Sequence, residues 1–174
     1  MSAKFKILIH DLSQALQNKN YNEIPYLLNS YNSLISDWNT LSVENLNSNC
    51  KYTRNNLLNL PNNLGQILIL IWKSNCNSNV HFHPNSECWV KVLNGKLEEN
   101  IFQDNKLIST NSILLNDVSH INDSIGSHSM HNRSLNNRAV TLHVYSNNDN
   151  NNNNIEIFKN FQNLDLHIYR KKIN

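Results

Sequence analysis

One segment of the sequence concentrates side chains that bind metal ions. It spans residues 80–95 and contains four such side chains: His81, His83, Glu87 and Cys88. In an extended strand alternate side chains share a face, so His81 and His83 would point the same way, about 7 Å apart along the strand. Two imidazoles so placed can grip one metal ion, and a third ligand must come from elsewhere.

The later part of the chain supplies candidates for that third ligand, namely His120, His128, His131 and His143. His128 follows Gly126 closely and forms a second small histidine cluster with His131. Histidines are often exposed, so the default interpretation of His120 and His131 is that they lie on the surface. Taken without the rest of the chain, His81 and His83 fit a solvated strand face as well as a metal site.

The N-terminal third of the chain predicts helices. Apolar residues recur at helical spacing from Lys4 to about Leu16, which indicates a first helix. A second is expected from Asn22 or Glu23 to Tyr31, with Pro25 tolerated in its first turn. A third, weaker helix is expected from Ile35 to Leu46. This part of the chain would form a helical lid or buttress, and it contains no group of side chains placed to do chemistry.

Beyond residue 50 the pattern is typical of short strands separated by turns. Gln66–Trp72 is a buried strand by its length and its Ile and Trp content. Further strands are predicted at residues 80–83, 88–93, 96–102, 107–109, 112–115, 120–122 and 138–146. Asn94-Gly95 is the strongest hairpin pattern in the chain. Many short strands of this kind indicate a mainly β fold, a sandwich or small barrel.

Length, charge and cysteine content favour a single domain in a reducing compartment. The chain has 174 residues and a formal net charge of +2, which suits one domain without a nucleic-acid partner. Three cysteines without a CxxC pair argue against a disulfide framework and for the cytoplasm. The N-terminus does not resemble a signal peptide, and no apolar run is long enough to span a membrane.

The C-terminal region begins with a low-complexity tract. Residues 147–154 are almost entirely asparagine, and such a tract is predicted to be a disordered loop because it has no apolar surface to bury. After it, residues 155–161 and 164–169 alternate apolar and polar side chains. Two C-terminal strands are therefore expected between residues 155 and 174.

The metal-binding segment resembles the first motif of the cupins, which reads His-x-His, three or four residues, an acid, six residues and Gly. His81, His83 and Gly95 fit this motif, and at the longer spacing Cys88 occupies the acid position. The second cupin motif ends in His-x-x-x-Asn, which residues 128–132 match, although its Pro-x-Gly is missing. A cupin with cysteine at the acid position resembles the cysteine dioxygenases.

Further segments resemble the same family. They are Tyr52-Thr-Arg-Asn55, Trp72 at the end of its strand, Ile121-Asn-Asp-Ser-Ile-Gly126 and Leu142-His-Val-Tyr-Ser146. The resemblance is close over residues 50–146 and loose over the helices. It implies a cupin, a small β-barrel or jelly-roll with two or three N-terminal α-helices. The implied organisation is one domain, 1–174, with N-terminal helices (1–48), a catalytic barrel (50–146), a loop (147–154) and C-terminal strands (155–174).

The resemblance also implies a metal and its surroundings. Fe(II) is the implied cofactor, with three ligands: His81, His83 and His128. Cys88 would form a thioether crosslink with Tyr145 and pin the phenol beside the iron. His143 and Tyr145 share a strand face with Thr141 by parity, so the three side chains could form a hydrogen-bond relay. The family usually has Ser where Thr141 stands.

Substrate recognition is implied for Arg54, with assistance from Tyr52. A guanidinium presents a planar fork to a carboxylate, which Lys cannot do. Relatives that act on 3-mercaptopropionate have Gln at this position, so Arg54 favours cysteine. The implied reaction converts L-cysteine and O2 into cysteine sulfinic acid, in cysteine catabolism and taurine biosynthesis. A monomeric enzyme with no nucleic-acid or membrane partner is expected.

Three alternatives remain open from the sequence. The substrate could be another small thiol, 3-mercaptopropionate or cysteamine, or the chain could be a cupin that binds without catalysing. Glu87 fits the shorter spacing of the first cupin motif. It could therefore be a ligand, in a site with two histidines and a carboxylate or in one with four ligands.

Overall fold

The computed structural model describes residues 2–43 and 51–147. The predictions for residues 44–50 and 148–174 lie outside the described residues. They concern the end of the third helix, Cys50, most of the asparagine tract and the two C-terminal strands. Within the described ranges, no helix has both the length and the apolar character needed to cross a membrane.

Three helices begin the chain: α1 (Ala3–Gln17), α2 (Ile24–Ser30) and α3 (Ile35–Trp38). The side chain of Ser2 caps α1 by accepting a hydrogen bond from the backbone N–H of Phe5, which satisfies one of the free donors at a helix start. Pro25 lies in the first turn of α2. The described part of α3 is shorter than predicted, because a 3-10 turn at residues 39–41 follows Trp38.

Nine strands follow the helices in the part of the chain that the structure describes. They are β1 (Tyr52–Asn59), β2 (Gly65–Trp72), β3 (Cys76–Asn77), β4 (Cys88–Asn94), β5 (Leu97–Gln103), β6 (Lys106–Ile113), β7 (Val118–Ile121), β8 (Ser127–Asn132) and β9 (Ala139–Ser146). They form a five-stranded sheet in the order β1-β2-β9-β4-β7 and a four-stranded sheet in the order β3-β8-β5-β6. All pairings between these strands are antiparallel.

The two faces of the larger sheet have different partners. In β2, Leu68, Leu70 and Trp72 point inward and pack with residues of the smaller sheet such as Leu97 and Met130. The intervening isoleucines point outward and pack against the helices, together with Leu12 and Leu16 of α1 and Leu28 of α2. This alternation explains why β2 and β9 are buried on both faces. The helices therefore pack on the outer face of the larger sheet, and the barrel interior is open to the functional groups.

Three predicted strands differ from the structure. Residues 80–83 do not form a strand; they make an isolated β-bridge between His81 and His128. Asn85 follows with a positive φ of 52°, and the chain turns away before a longer ladder can form. The two strands predicted at 107–109 and 112–115 are one strand, β6. Conversely, β1, β3 and β8 were not predicted.

The Asn94-Gly95 turn is not a hairpin. It carries the chain from β4 in the larger sheet to β5 in the smaller one, with a φ of 75° at Gly95. The hairpin lies instead at Asp104-Asn105, between β5 and β6, where both turn residues have positive φ. The turn pattern was correctly placed, but the dipeptide alone does not specify which strands pair.

Candidate metal centre

Three imidazoles converge inside the barrel. The Nε2 atom of His128 lies 3.0 Å from Nε2 of His83 and 3.1 Å from Nε2 of His81. One nitrogen of each ring lies within 4.8 Å of the other two. The structure thus brings together the three histidines that the sequence proposed as ligands.

Backbone pairing fixes the position of His81 relative to His128. The N–H of each residue donates to the carbonyl of the other, both at 2.9 Å. His128 itself lies in β8, where it pairs with Ile101 of β5. A single bridge therefore holds a loop histidine beside a sheet histidine.

A carboxylate orders the loop that carries His83. Asp123 accepts hydrogen bonds from the backbone N–H groups of His83 and Asn85, each at 3.2 Å. Asp123 belongs to the segment 121–126 that resembles the family, but sequence reasoning assigned it no role. The segment also contains Gly126, whose φ is 138°. A Cβ there would collide with the carbonyl oxygen of Phe102, so the turn into β8 requires glycine.

The hydrogen bonds of the rings show which nitrogens carry protons. Nδ1 of His81 donates to the carbonyl of Asn79 at 3.0 Å, and Nδ1 of His128 donates to a carboxylate oxygen of Glu99 at 2.6 Å. Neutral rings with a proton on Nδ1 present the Nε2 lone pair. At least two lone pairs therefore point into one small space without a donor between them, and a bound cation would satisfy them.

Burial keeps His81 and His83 neutral. It lowers the pKa of His81 to about 4 and that of His83 to about 2, and the neighbouring His128 contributes in the same direction. Because metal ions bind the neutral imidazole, such rings need not lose a proton at neutral pH before coordination. The donor set fits a divalent metal with nitrogen ligands.

Glu99 is a site residue that sequence reasoning missed. Its side chain is buried, and its second oxygen accepts a hydrogen bond from Ser119 Oγ at 2.5 Å. The only sequence indication was parity, because Glu99 shares a strand face with the apolar Leu97 and Ile101. An acidic residue in an otherwise inward-facing apolar series marks a buried charge with a specific partner.

Cys88 and Tyr145 face each other across neighbouring strands. They are direct partners in the register of β4 and β9, and both side chains are buried. Burial raises the pKa of the Cys88 thiol; the hydrogen bond with Tyr145 acts weakly in the other direction. Burial also raises the pKa of the Tyr145 hydroxyl. The Tyr145 ring stacks on His83, with ring centroids 5.7 Å apart.

The predicted relay on β9 is present and has a fourth member. Thr141 Oγ1 lies 2.9 Å from His143 Nε2, and His143 Nδ1 lies 3.2 Å from the Tyr145 hydroxyl. The indole N–H of Trp72 donates to Thr141 Oγ1 at 2.9 Å. Sequence reasoning placed Trp72 near the site without this contact.

The Trp72 contact limits the directions that the relay can take. An indole N–H can only donate, so Thr141 accepts from Trp72 and still has one hydrogen of its own to give. Where Thr141 donates to His143 Nε2, His143 carries its proton on Nδ1 and donates to the oxygen of Tyr145. Burial, followed by the positive charge of Arg54, holds the pKa of His143 well below its ordinary value, so this ring is neutral. In this arrangement the hydroxyl hydrogen of Tyr145 points away from His143.

Arg54 and Tyr52 lie on β1, at the edge of the larger sheet. Their register partners on β2 are Leu70 and Trp72, and the Tyr52 ring lies 4.6 Å from that of Trp72 between centroids. The charge of Arg54 acts on Tyr145 as well as on His143. The structure therefore brings this arginine within electrostatic reach of the histidine cluster.

Glu87 lies outside the three-histidine group. One of its carboxylate oxygens accepts hydrogen bonds from His120 Nε2 at 2.5 Å and from Asn122 Nδ2 at 3.0 Å. The His120 ring in turn stacks on Trp89. These contacts link β4 to β7 and account for Glu87 and His120 without a metal ion.

Comparison with protein families and curated proteins gives consistent matches. The family model of cysteine dioxygenase type I matches residues 2–155. Cysteine dioxygenase type 1 of Danio rerio is 36% identical over 149 residues, which are 80% of this chain and 72% of that protein. Cysteine dioxygenase type 1 of Homo sapiens is 33% identical over 134 residues, which are 73% of this chain and 65% of that protein. The chain thus spans about two thirds of its relatives' length.

Solved structures share the fold. A protein from Klebsiella pneumoniae with a double-stranded beta-helix domain aligns with a TM-score of 0.52 and 14% identity, over 64% of this chain and 82% of that one. An oxalate oxidase in complex with glycolate also gives a TM-score of 0.52, at 13% identity, over 63% and 58% of the two chains. At such identities the likeness concerns the fold alone, and it confirms the predicted mainly β fold of the cupin type with N-terminal helices.

Proposed function

Because the chain belongs to the cysteine dioxygenase type I family, we propose that it converts L-cysteine and O2 into cysteine sulfinic acid. Both atoms of O2 join the sulfur, so no external reductant is required. The observation that carries the proposal is the convergence of three imidazoles beside Cys88 and Tyr145, within reach of the charge of Arg54. The reaction would belong to cysteine catabolism and taurine biosynthesis.

We propose Fe(II) as the cofactor. Its ligands would be His81, His83 and His128, whose Nε2 lone pairs need a cation. When bound, iron would supply the redox chemistry, lower the pKa of the substrate thiol and leave positions for thiolate and O2. With Glu87 bonded to His120 and Asn122, a purely nitrogenous ligand set is favoured over one that includes a carboxylate.

Arg54 would bind the substrate carboxylate. It carries a fixed charge at the edge of the site, and a guanidinium can make two parallel hydrogen bonds to one carboxylate. Tyr52, whose ring lies against that of Trp72, would assist from the same strand face. This arrangement supports cysteine over cysteamine, which has no carboxylate.

Cys88, Tyr145 and His143 would act beside the reacting sulfur. His143 donates to the oxygen of Tyr145, and the phenol hydrogen is then available to a group on the substrate side. We propose that Cys88 and Tyr145 become joined by a thioether bond between Sγ and the phenol ring. That bond forms with loss of one hydrogen from each residue, a two-electron oxidation for which O2 is the oxidant.

The remaining parts of the proposal concern the setting of the enzyme. We propose a monomer on the resemblance to the family alone. The cysteine pattern supports the reducing conditions of the cytoplasm. No nucleic-acid or membrane partner is proposed.

Oxygen uptake tests the proposed function. The protein is loaded with Fe(II) without air, and uptake is then measured with cysteine, cysteamine and 3-mercaptopropionate. We expect cysteine to be consumed with the highest kcat/KM and the metal-free protein to be inactive. Faster consumption of another thiol would favour the alternative substrate, and no uptake with any thiol would contradict an enzymatic function.

A further inference from the structure

Glu99 lies directly behind one of the three histidines. Its Oε1 accepts the Nδ1 proton of His128 at 2.6 Å, and its Oε2 accepts from Ser119 at 2.5 Å. Both the carboxylate and the imidazole are almost fully buried, at 1% exposure each. The two strands that carry them, β5 and β8, are neighbours in the smaller sheet.

The three histidines do not have equivalent partners on the side away from the cluster. His81 donates its Nδ1 proton to a neutral backbone carbonyl, whereas His128 donates to a carboxylate. A charged acceptor makes a shorter and stronger bond, and it increases the electron density at the opposite nitrogen. Nε2 of His128 is therefore a better donor than Nε2 of His81.

We propose that Glu99 is a positioning residue, which fixes the tautomer and ring orientation of His128 and delivers carboxylate charge to the metal through that ring. The three direct ligands are neutral, so a divalent ion would otherwise lie in a buried site without a compensating anion. Glu99 supplies that anion one hydrogen bond further out. The position where a cupin carries an acidic ligand is filled here by Cys88, and Glu99 replaces the missing charge.

The neighbouring Glu98 shows how differently a carboxylate behaves on the other face of β5. Glu98 forms an ion pair with Arg133 at 2.7 Å near the surface. Of the two, Glu99 points into the barrel, where His128 and Ser119 donate to its carboxylate. Glu98 therefore provides a matched control on the same strand.

The test compares Fe(II) affinity in the metal-free chain, measured without air by competition with a chromophoric chelator. Carboxylates behind metal-bound histidines typically contribute about 10- to 100-fold in affinity, so Glu99→Gln should weaken Fe(II) binding by that factor. Glu98→Gln should stay within about twofold of the unaltered chain. The absorption bands of bound Co(II) should also shift in Glu99→Gln, because the donor strength of His128 changes.

The same samples distinguish the proposed role of Glu99 from a purely structural one. If the role were purely structural, Glu99→Gln would lower the Tm of the metal-free protein and leave the Co(II) bands of the folded fraction unchanged, and that result would overturn the proposal. So would an Fe(II) affinity of Glu99→Gln within twofold of the unaltered chain. The measurement needs no thiol, so it stands even if the proposed reaction with cysteine does not.

A measurement on the unaltered chain covers the case in which Glu99→Gln fails to fold. In the Zn(II)-loaded protein, long-range ¹H–¹⁵N correlations of the imidazoles should show His128 with its proton on Nδ1, strongly deshielded by the carboxylate. The Nδ1 proton of His81, bonded to a neutral carbonyl, should be less deshielded. A His128 proton no more deshielded than that of His81 would overturn the proposal.

Discussion

Among single residues, Arg54 bears most directly on substrate recognition in the proposed reaction. Arg54→Ala removes the charge, and Arg54→Lys keeps it but loses the two parallel hydrogen bonds. Hydrogen bonds to charged groups contribute about 1.5–3 kcal/mol, so the kcat/KM for cysteine should fall about 10- to 100-fold in Arg54→Ala. Initial rates of oxygen uptake over a range of cysteine concentrations measure the effect.

Cysteamine is the matched substrate for this test, because it has the thiol and the amine of cysteine but no carboxylate. Its kcat/KM should change no more than about threefold in Arg54→Ala, since the lost hydrogen bonds are never made. An equal loss for both thiols would remove Arg54 from carboxylate recognition.

Cys88 and Tyr145 define a second prediction at the residue scale. Their side chains are buried register partners, so a thioether bond needs no rearrangement of the strands. After turnover with cysteine, the intact mass should fall by two hydrogen atoms, and denaturing gels should show a doublet. Both changes should be absent in Cys88→Ala, which removes the sulfur, and in Tyr145→Phe, which keeps the ring but removes the hydroxyl. Persistence of the doublet in Cys88→Ala would contradict the crosslink.

At the scale of elements, the turn before β8 determines where His128 lies. Gly126 has a φ of 138°, and an added Cβ would collide with the carbonyl oxygen of Phe102. Gly126→Ala should therefore reduce the free energy of unfolding by roughly 2–4 kcal/mol and weaken metal binding. Urea unfolding measures the first effect. Ser124→Ala, exposed in the same turn, should cost about 1 kcal/mol or less; equal losses would show that the turn does not need glycine.

The strands that sequence patterns locate well are those whose inward side chains are apolar. β2, β4, β5 and β9 were predicted within one or two residues, because burial leaves a continuous or alternating apolar pattern. β8 was missed because its inward face carries a single apolar side chain, Met130, between His128 and Asn132. Pairing was also beyond reach: Asn94-Gly95 has the chemistry of a hairpin turn, yet its flanking strands belong to different sheets.

The site residues divide in the same way, into those that local sequence patterns identify and those that depend on partners distant along the chain. His81, His83 and His128 were found from spacing and family resemblance, and the structure groups them; their role as ligands remains a proposal. Glu99 and Asp123 were missed because their partners lie 29 and 40 residues away along the chain. Family membership and the cupin-type fold, both predicted from the sequence, are confirmed.

For the whole molecule, the buried histidines predict how stability depends on pH in the metal-free protein. Burial lowers the pKa of His81 to about 4, against about 6.5 in an unfolded chain. The unfolded state then binds more protons below pH 6.5, so stability is full above that pH and falls as the pH decreases towards 4. Urea unfolding at pH 7.5, 6 and 5 should show this loss, to which His81 contributes on the order of 2 kcal/mol and the buried His83 and His143 add.

Variants identify the source of that loss. His81→Gln should reduce the change in the free energy of unfolding between pH 7.5 and 5. His10→Gln, on the exposed side of α1, should leave that change as it is in the unaltered chain. Zn(II) should move the loss to lower pH, because the metal competes with protons for the same nitrogens. Stability that stays constant or rises between pH 7.5 and 5 would contradict the neutral burial of these rings.

The central claim is that both atoms of O2 join the sulfur of cysteine, and isotope labelling tests it most directly. The Fe(II)-loaded protein is given L-cysteine and ¹⁸O₂, and the product is analysed by mass spectrometry. Two ¹⁸O atoms in cysteine sulfinic acid are predicted, with no product from the metal-free chain or from His128→Ala. Cystine as the only product, or a sulfinate that carries oxygen from water, would contradict the assignment as a cysteine dioxygenase.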